Sequence, residues 1–172
     1  MEIRQYKVYK FAELSEKEKE KAISKFRDCH LDYYWWDHVY EDAKEAGLKI
    51  EEFYLDRNRH AEGRFIESAR ECAQKIVENH GPDCETFKTA SAFLKERDEI
   101  VEQAPKDEDG EFVSEFELDE KLDDCEAEFL KSILEDYSIM LQKECEYLQS
   151  DEAIIETIEA NDYDFTENGK ID

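Results

Sequence analysis

Between Leu118 and Leu148 apolar residues return at spacings of three, four and seven: Leu122, Cys125, Phe129, Ile133, Tyr137, Met140, Leu141, Cys145 and Leu148. An α-helix turns once every 3.6 residues, so this spacing lines one face of a rod. A helix of about 30 residues is about 45 Å long at 1.5 Å per residue. The fold therefore has to be assembled along it, and the rest of the chain must provide enough apolar surface to cover its stripe.

The same periodicity rules read the rest of the chain. Glu2 to Phe11 alternates, with Ile3, Tyr6, Val8, Tyr9 and Phe11 set between charges, and predicts a strand with one buried face. Ser15-Glu16-Lys17-Glu18 has capping-box spacing, with Leu14 as the staple, and predicts a helix burying Ala22, Ile23 and Phe26. Asp32 is the expected cap of a second helix, Tyr33 to Ala46, with Trp36, Val39, Tyr40 and Ala43 at helical spacing and Gly47 as its stop. Leu48, Ile50, Phe53 and Leu55 then predict one strand and Gly63 to Ile66 another. Together with the first strand these make a small antiparallel sheet.

Ser68 and Glu71 repeat the capping-box spacing before a helix through Cys72, Ala73, Ile76 and Val77, which His80-Gly81-Pro82 ends. The next helix runs from Cys84 or Thr86 to Gln103. Pro105 to Glu117 reads as a mobile acidic loop, and Ser150 as the cap of a helix over Asp151–Ala160. Tyr163 to Thr166 reads as an edge strand before a turn at Asn168-Gly169. The expectation is one α+β domain over residues 1–172, with a small antiparallel sheet of three to four strands packed by five to six helices, the longest of them acidic.

Charge divides the chain unequally. Residues 1 to 70 carry 14 Lys and Arg against 16 Asp and Glu, while residues 71 to 172 carry 9 against 32, so almost all of the net charge of −25 belongs to the second part. Such a field repels nucleic acid and anionic membranes and draws basic surfaces toward it. With no apolar leader, no run of 18 apolar residues and five cysteines in no CxxC pair, the sequence predicts reduced thiols in a cytoplasmic setting. It carries no nucleotide-binding, hydrolase or metalloprotease motif and is read as non-enzymatic, with no cofactor and no metal. Cys72, His80, Cys84 and the pair Cys29-His30 lack zinc-ligand spacing. Asp107-Glu108-Asp109-Gly110 and Asp162-Tyr163-Asp164 lack the ligand order of a calcium loop.

Three stretches remain as candidate contact surfaces. Residues 98 to 136 hold 17 Asp and Glu against Lys106, Lys121 and Lys131, a net of −14. Like charges in one place cost stability, so such a concentration points to a role outside folding. Glu115, Glu117, Asp119, Glu120, Asp123 and Asp124 are the carboxylates chosen from it, because a row of them can imitate nucleic-acid phosphates. In the aromatic stretch Tyr33 to Tyr40, core packing takes Trp36, Val39 and Tyr40 and leaves Trp35 or Tyr34 for contact, with Trp35 the one chosen. Arg57 and Arg59, in the one basic stretch, either grip an external carboxylate or phosphate or pair with the acidic half of their own chain.

Tyr6-Lys7-Val8-Tyr9-Lys10-Phe11 with Glu13-Leu14-Ser15, Trp35-Trp36 with Val39-Tyr40-Glu41-Asp42-Ala43-Lys44, and Ile155-Glu156-Thr157-Ile158-Glu159-Ala160-Asn161 running to Thr166-Glu167-Asn168-Gly169 together resemble a family of small phage and prophage proteins of unknown function, often labelled antitoxin-like. The resemblance covers roughly residues 5 to 55 and 118 to 169 and brings no catalytic residues. It implies a mobile-element setting and action inside the host cytoplasm. Joined to the charge, it leads to the expectation of an inhibitor that binds a basic, nucleic-acid-binding host defence protein, of the anti-CRISPR or anti-restriction type, as a phosphate mimic. The alternative is an antitoxin-like or regulatory protein that neutralises a basic toxin or effector.

Overall fold

The computed structural model of the chain describes residues 7–29, 31 and 34–171. The start of the expected first strand, the Asp32 cap and Tyr33 lie outside them. Six α-helices and four short strands are present among the described residues, and they gather into two compact units, Met1–Trp35 with Lys143–Asp172, and Trp36–Gln142.

In the first unit, strand β1 (Tyr9–Lys10) leads through a single 3₁₀ turn (Phe11–Glu13) to helix α1 (Glu16–Cys29). Ser15 caps α1, its hydroxyl accepting from the Glu18 amide at 3.4 Å. The unit's core joins Phe11, Leu14, Ala22 and Phe26 to Ile154, Ile158 and Phe165 from the other end of the chain. Arg27 holds the two ends together, donating to the Gln149 carbonyl at 2.9 Å and pairing with Asp151. Near the C-terminus Gly169 has φ +73°, and a Cβ there would lie 2.5 Å from the Glu18 carbonyl oxygen, so glycine is required for both conformation and space.

The second unit contains α2 (Asp37–Glu45), β2 (Leu48–Tyr54), β3 (His60–Phe65), α3 (Ala69–Asn79), α4 (Glu85–Gln103) and α5 (Glu115–Leu148) as far as Gln142. Ser68 caps α3 with the full reciprocal box: the Glu71 amide donates to Ser68 Oγ at 3.2 Å and the Ser68 amide donates to the Glu71 carboxylate at 3.1 Å. Of the expected apolar stripe of α5, Cys125, Phe129, Ile133, Tyr137 and Leu141 are buried, Leu122, Cys145 and Leu148 are half-buried, and Met140 is exposed. Phe129 lies between two rings, stacked on Phe93 at 4.2 Å and on Phe65 at 5.6 Å between centroids.

Among the described residues the strands do not form the single sheet of three to four expected from the alternation. There are two separate two-stranded antiparallel sheets, β2 with β3, and β1 with β4 (Asp164–Phe165). β1 takes its partner from the far end of the chain because Phe11, in the turn that directly follows β1, and Phe165 of β4 enter the same core. The second helix starts at Asp37, four residues later than the capping rule suggested, and β3 starts at His60 rather than Gly63. In β2 the register slips between Ile50 and Glu52. This bulge turns Phe53 toward the protein, which is why Ile50 and Phe53, three apart, share the inward face of the strand.

Candidate partner-binding surface

Helix α5 starts at Glu115, so the last three residues of the expected Pro105 to Glu117 loop are its first turn. Ser114 is the cap, accepting from the Glu117 amide at 3.3 Å, and Ser114-x-x-Glu117 is a start signal already legible in the sequence. The loop before it is closed by its own backbone. Asp107 accepts from the amides of Asp109 (3.0 Å) and Glu111 (2.9 Å), Val113 donates to the Pro105 carbonyl at 2.9 Å, and Lys106 sits 5.1 Å over the Phe112 ring. The Asp107 carboxylate is thus committed to a turn.

At about 100° per residue, with Glu115 as origin, Asp119 falls near 40°, Asp123 near 80°, Glu120 near 140°, Asp124 near 180° and Glu117 near 200°. The buried residues Leu118 and Cys125 fall on the opposite side, near 300° and 280°. All six predicted carboxylates are therefore brought to one outward arc of α5, and all six are exposed. Neighbours along each row stand about 5–6 Å apart at Cβ. Among the described residues no cation pairs with any of them; the ion pair on this part of the helix is Lys131 with Glu128 at 3.5 Å. The helix dipole favours Glu115 and Glu117 in the first turn, but its influence fades within that turn and does not account for the other four.

Near 100°, in the middle of this arc, stands Phe116, which is 77% exposed, and Val113, just before the cap, is 65% exposed. A residue at Val113's position ordinarily folds back against the fourth helical residue, here the buried Leu118. Sequence reasoning missed both residues because they fell within the presumed loop.

The other predicted contacts are placed differently. Arg59 is held within the fold: its Nε donates to Ser138 Oγ at 3.1 Å, one Nη donates to Gln142 Oε1 at 2.8 Å, and the other pairs with Glu135. It fastens the β2–β3 connection to α5. Arg64 likewise pairs with Glu51 at 3.2 Å, holding the Glu51 carboxyl below its usual range together with Lys49. Arg57, in the turn between the strands, is exposed and makes no ion pair among the described residues. Trp35 is half-buried, while Trp36 and Tyr40 pack edge-on against Phe53 at 5.7 and 6.1 Å.

An open groove of about 780 Å³ lies between β3, α4 and α5, lined by His60, Gly63, Thr89, Leu130, Leu134 and Asp136, among others. Burial raises the Asp136 carboxyl, against a 2.6 Å hydrogen bond donated by Thr89, and the charges of Glu85 and Glu135 add to the rise. Deeper in this unit Tyr137 donates to Asp42 at 2.9 Å, and His80 stands 3.5 Å from the other Asp42 oxygen and 2.8 Å from Thr86 Oγ1. Thr86 is buried, so this relay braces α2, α3, α4 and α5. No group of three or more His, Cys, Asp or Glu suited to a metal ion occurs among the described residues, and no helix there is long and apolar enough to cross a membrane. Compared with protein families, with characterised proteins and with solved structures, the chain finds no match.

Proposed function

We propose that this chain is a non-enzymatic binding protein whose acidic α5 face occupies the basic, nucleic-acid-binding surface of a defence protein, in the manner of an anti-CRISPR or anti-restriction inhibitor encoded by a phage. The observation that carries this reading is the arc of Glu115, Glu117, Asp119, Glu120, Asp123 and Asp124, exposed and without a cation partner among the described residues. A helix in the body of a unit holds these charges in fixed positions, so little ordering entropy opposes binding. The resemblance of both chain ends to small phage proteins supplies the setting.

The test is capture of the partner, followed by binding measurements on the purified pair. Association should slow steeply as salt rises while dissociation changes less, because screening weakens long-range steering most. Replacing the six carboxylates by Asn or Gln should weaken binding about thirtyfold, whereas the same change at Glu16, Glu20 and Glu41 should have little effect. A phosphate mimic competes with DNA or RNA for one site on its target. An antitoxin-like protein, the second reading, covers a toxin without such competition. Unchanged affinity of the six-charge variant at low salt would remove the acidic face from the contact.

A further inference from the structure

Resting on that reading, we infer that Phe116, with Val113 beside it, is an apolar anchor that enters a pocket on the partner, and that the carboxylates around it are the rim of the same interface. The partner is thereby specified: a protein surface that combines lysines and arginines with an apolar recess, rather than a uniformly basic nucleic-acid channel.

Nothing in the fold requires these two side chains to be apolar. The α5 stripe that builds the core begins at Leu118, on the other side of the helix. Phe116 sits at the centre of the acidic arc, where a solvated face would carry a polar residue, and Val113 stays exposed although Leu118 offers it a staple position. An aromatic ring encircled by polar groups that exclude water is the usual anatomy of an interface hot spot. Charge decides what covers it. Residues 98 to 136 carry a net of −14, so a second copy, an anionic membrane or a nucleic acid would each bring negative charge against negative charge. A basic protein is the occupant that the charge around the anchor fits.

Two defined peptides of equal positive charge separate the anchor from the charge: an oligolysine, and an amphipathic helix of alternating Leu and Lys turns. The parent protein should bind the amphipathic peptide at least about tenfold more tightly at the same salt, the gain expected when one large apolar contact is buried. The double variant Val113→Ser with Phe116→Ser should lose that preference and keep its oligolysine affinity. The control Ile66→Ser, at another exposed apolar residue of the same unit, should keep both. No preference in the parent, or a preference that survives the double variant, overturns the anchor. Oligolysine binding that the six-charge variant does not weaken, or that is absent altogether, overturns instead the acidic-surface reading beneath it, and the anchor with it.

Discussion

Replacing Tyr137 by Phe removes a single oxygen from the interior of the second unit, and its cost can be worked from the surroundings. The side chain is fully buried, and its hydroxyl donates to Asp42 at 2.9 Å. A hydrogen bond to a charged acceptor contributes about 1.5–3 kcal/mol, and leaving a buried acceptor bare costs at the upper end of that range. The Asp42 side chain is 40% exposed and also faces His80, so water can replace part of what is lost, and about 1–2 kcal/mol is expected. For a chain of this length that corresponds to a melting temperature lower by about 3–6 °C.

The pH dependence gives a second, independent reading. Burial, with the nearby Asp42 charge, holds the Tyr137 hydroxyl far above its ordinary value of 10.0. In the unfolded chain it ionises near pH 10, while in the folded protein it keeps its proton. Folding therefore becomes less favourable as pH rises past 10, by about 1.4 kcal/mol per pH unit from this group. Tyr137→Phe lacks that loss, so the stability difference between parent and variant should be constant below pH 9 and shrink above pH 10. Urea titrations of both proteins at pH 7, 9 and 10.5 measure it. A variant as stable as the parent at pH 7, or a gap that stays constant through pH 10.5, would refute the assignment of this hydrogen bond as a stabilising one.

Gly63 faces the Lys49 carbonyl so closely that a Cβ would lie 2.3 Å from it, and Gly63→Ala should destabilise the second unit by at least about 2 kcal/mol in urea unfolding. Arg59→Ala removes the guanidinium from the buried Ser138 and from Glu135 and Gln142; a loss of about 1–3 kcal/mol is expected, only partly recovered by Arg59→Lys because an ammonium cannot span all three acceptors. With a thiol reagent on the native protein, exposed Cys84 should react well before Cys72, whose thiol burial pushes up to about 12. After unfolding without reductant all five cysteines should titrate, and fewer than five would show that a pair had been oxidised.

Features written in neighbouring residues were legible from the chain alone. Ser68 with Glu71, Ser150 before α6 (Asp151–Ala160), and the stripe of α5 place helices where the structure has them, because caps and 3.6-residue periodicity act over one or two turns. Of the six carboxylates, Asp119, Glu120, Asp123 and Asp124 fall opposite the stripe by helical spacing alone, whereas Glu115 and Glu117 lay in the expected loop and joined the same face only where Ser114 caps α5. What depends on distant partners was decided by the tertiary structure. β1 pairs with β4 because Phe11 and Phe165 share a core, and no local pattern tells a two-residue strand which other strand will cover it. Arg59 could equally have faced a ligand or its own chain, until Ser138, Gln142 and Glu135, nearly 80 residues away, were brought against it. Phe116 reads as one more apolar residue in the sequence; it became a candidate anchor only once α5 was packed by its opposite face, because exposure is a property of the whole fold rather than of any stretch of chain.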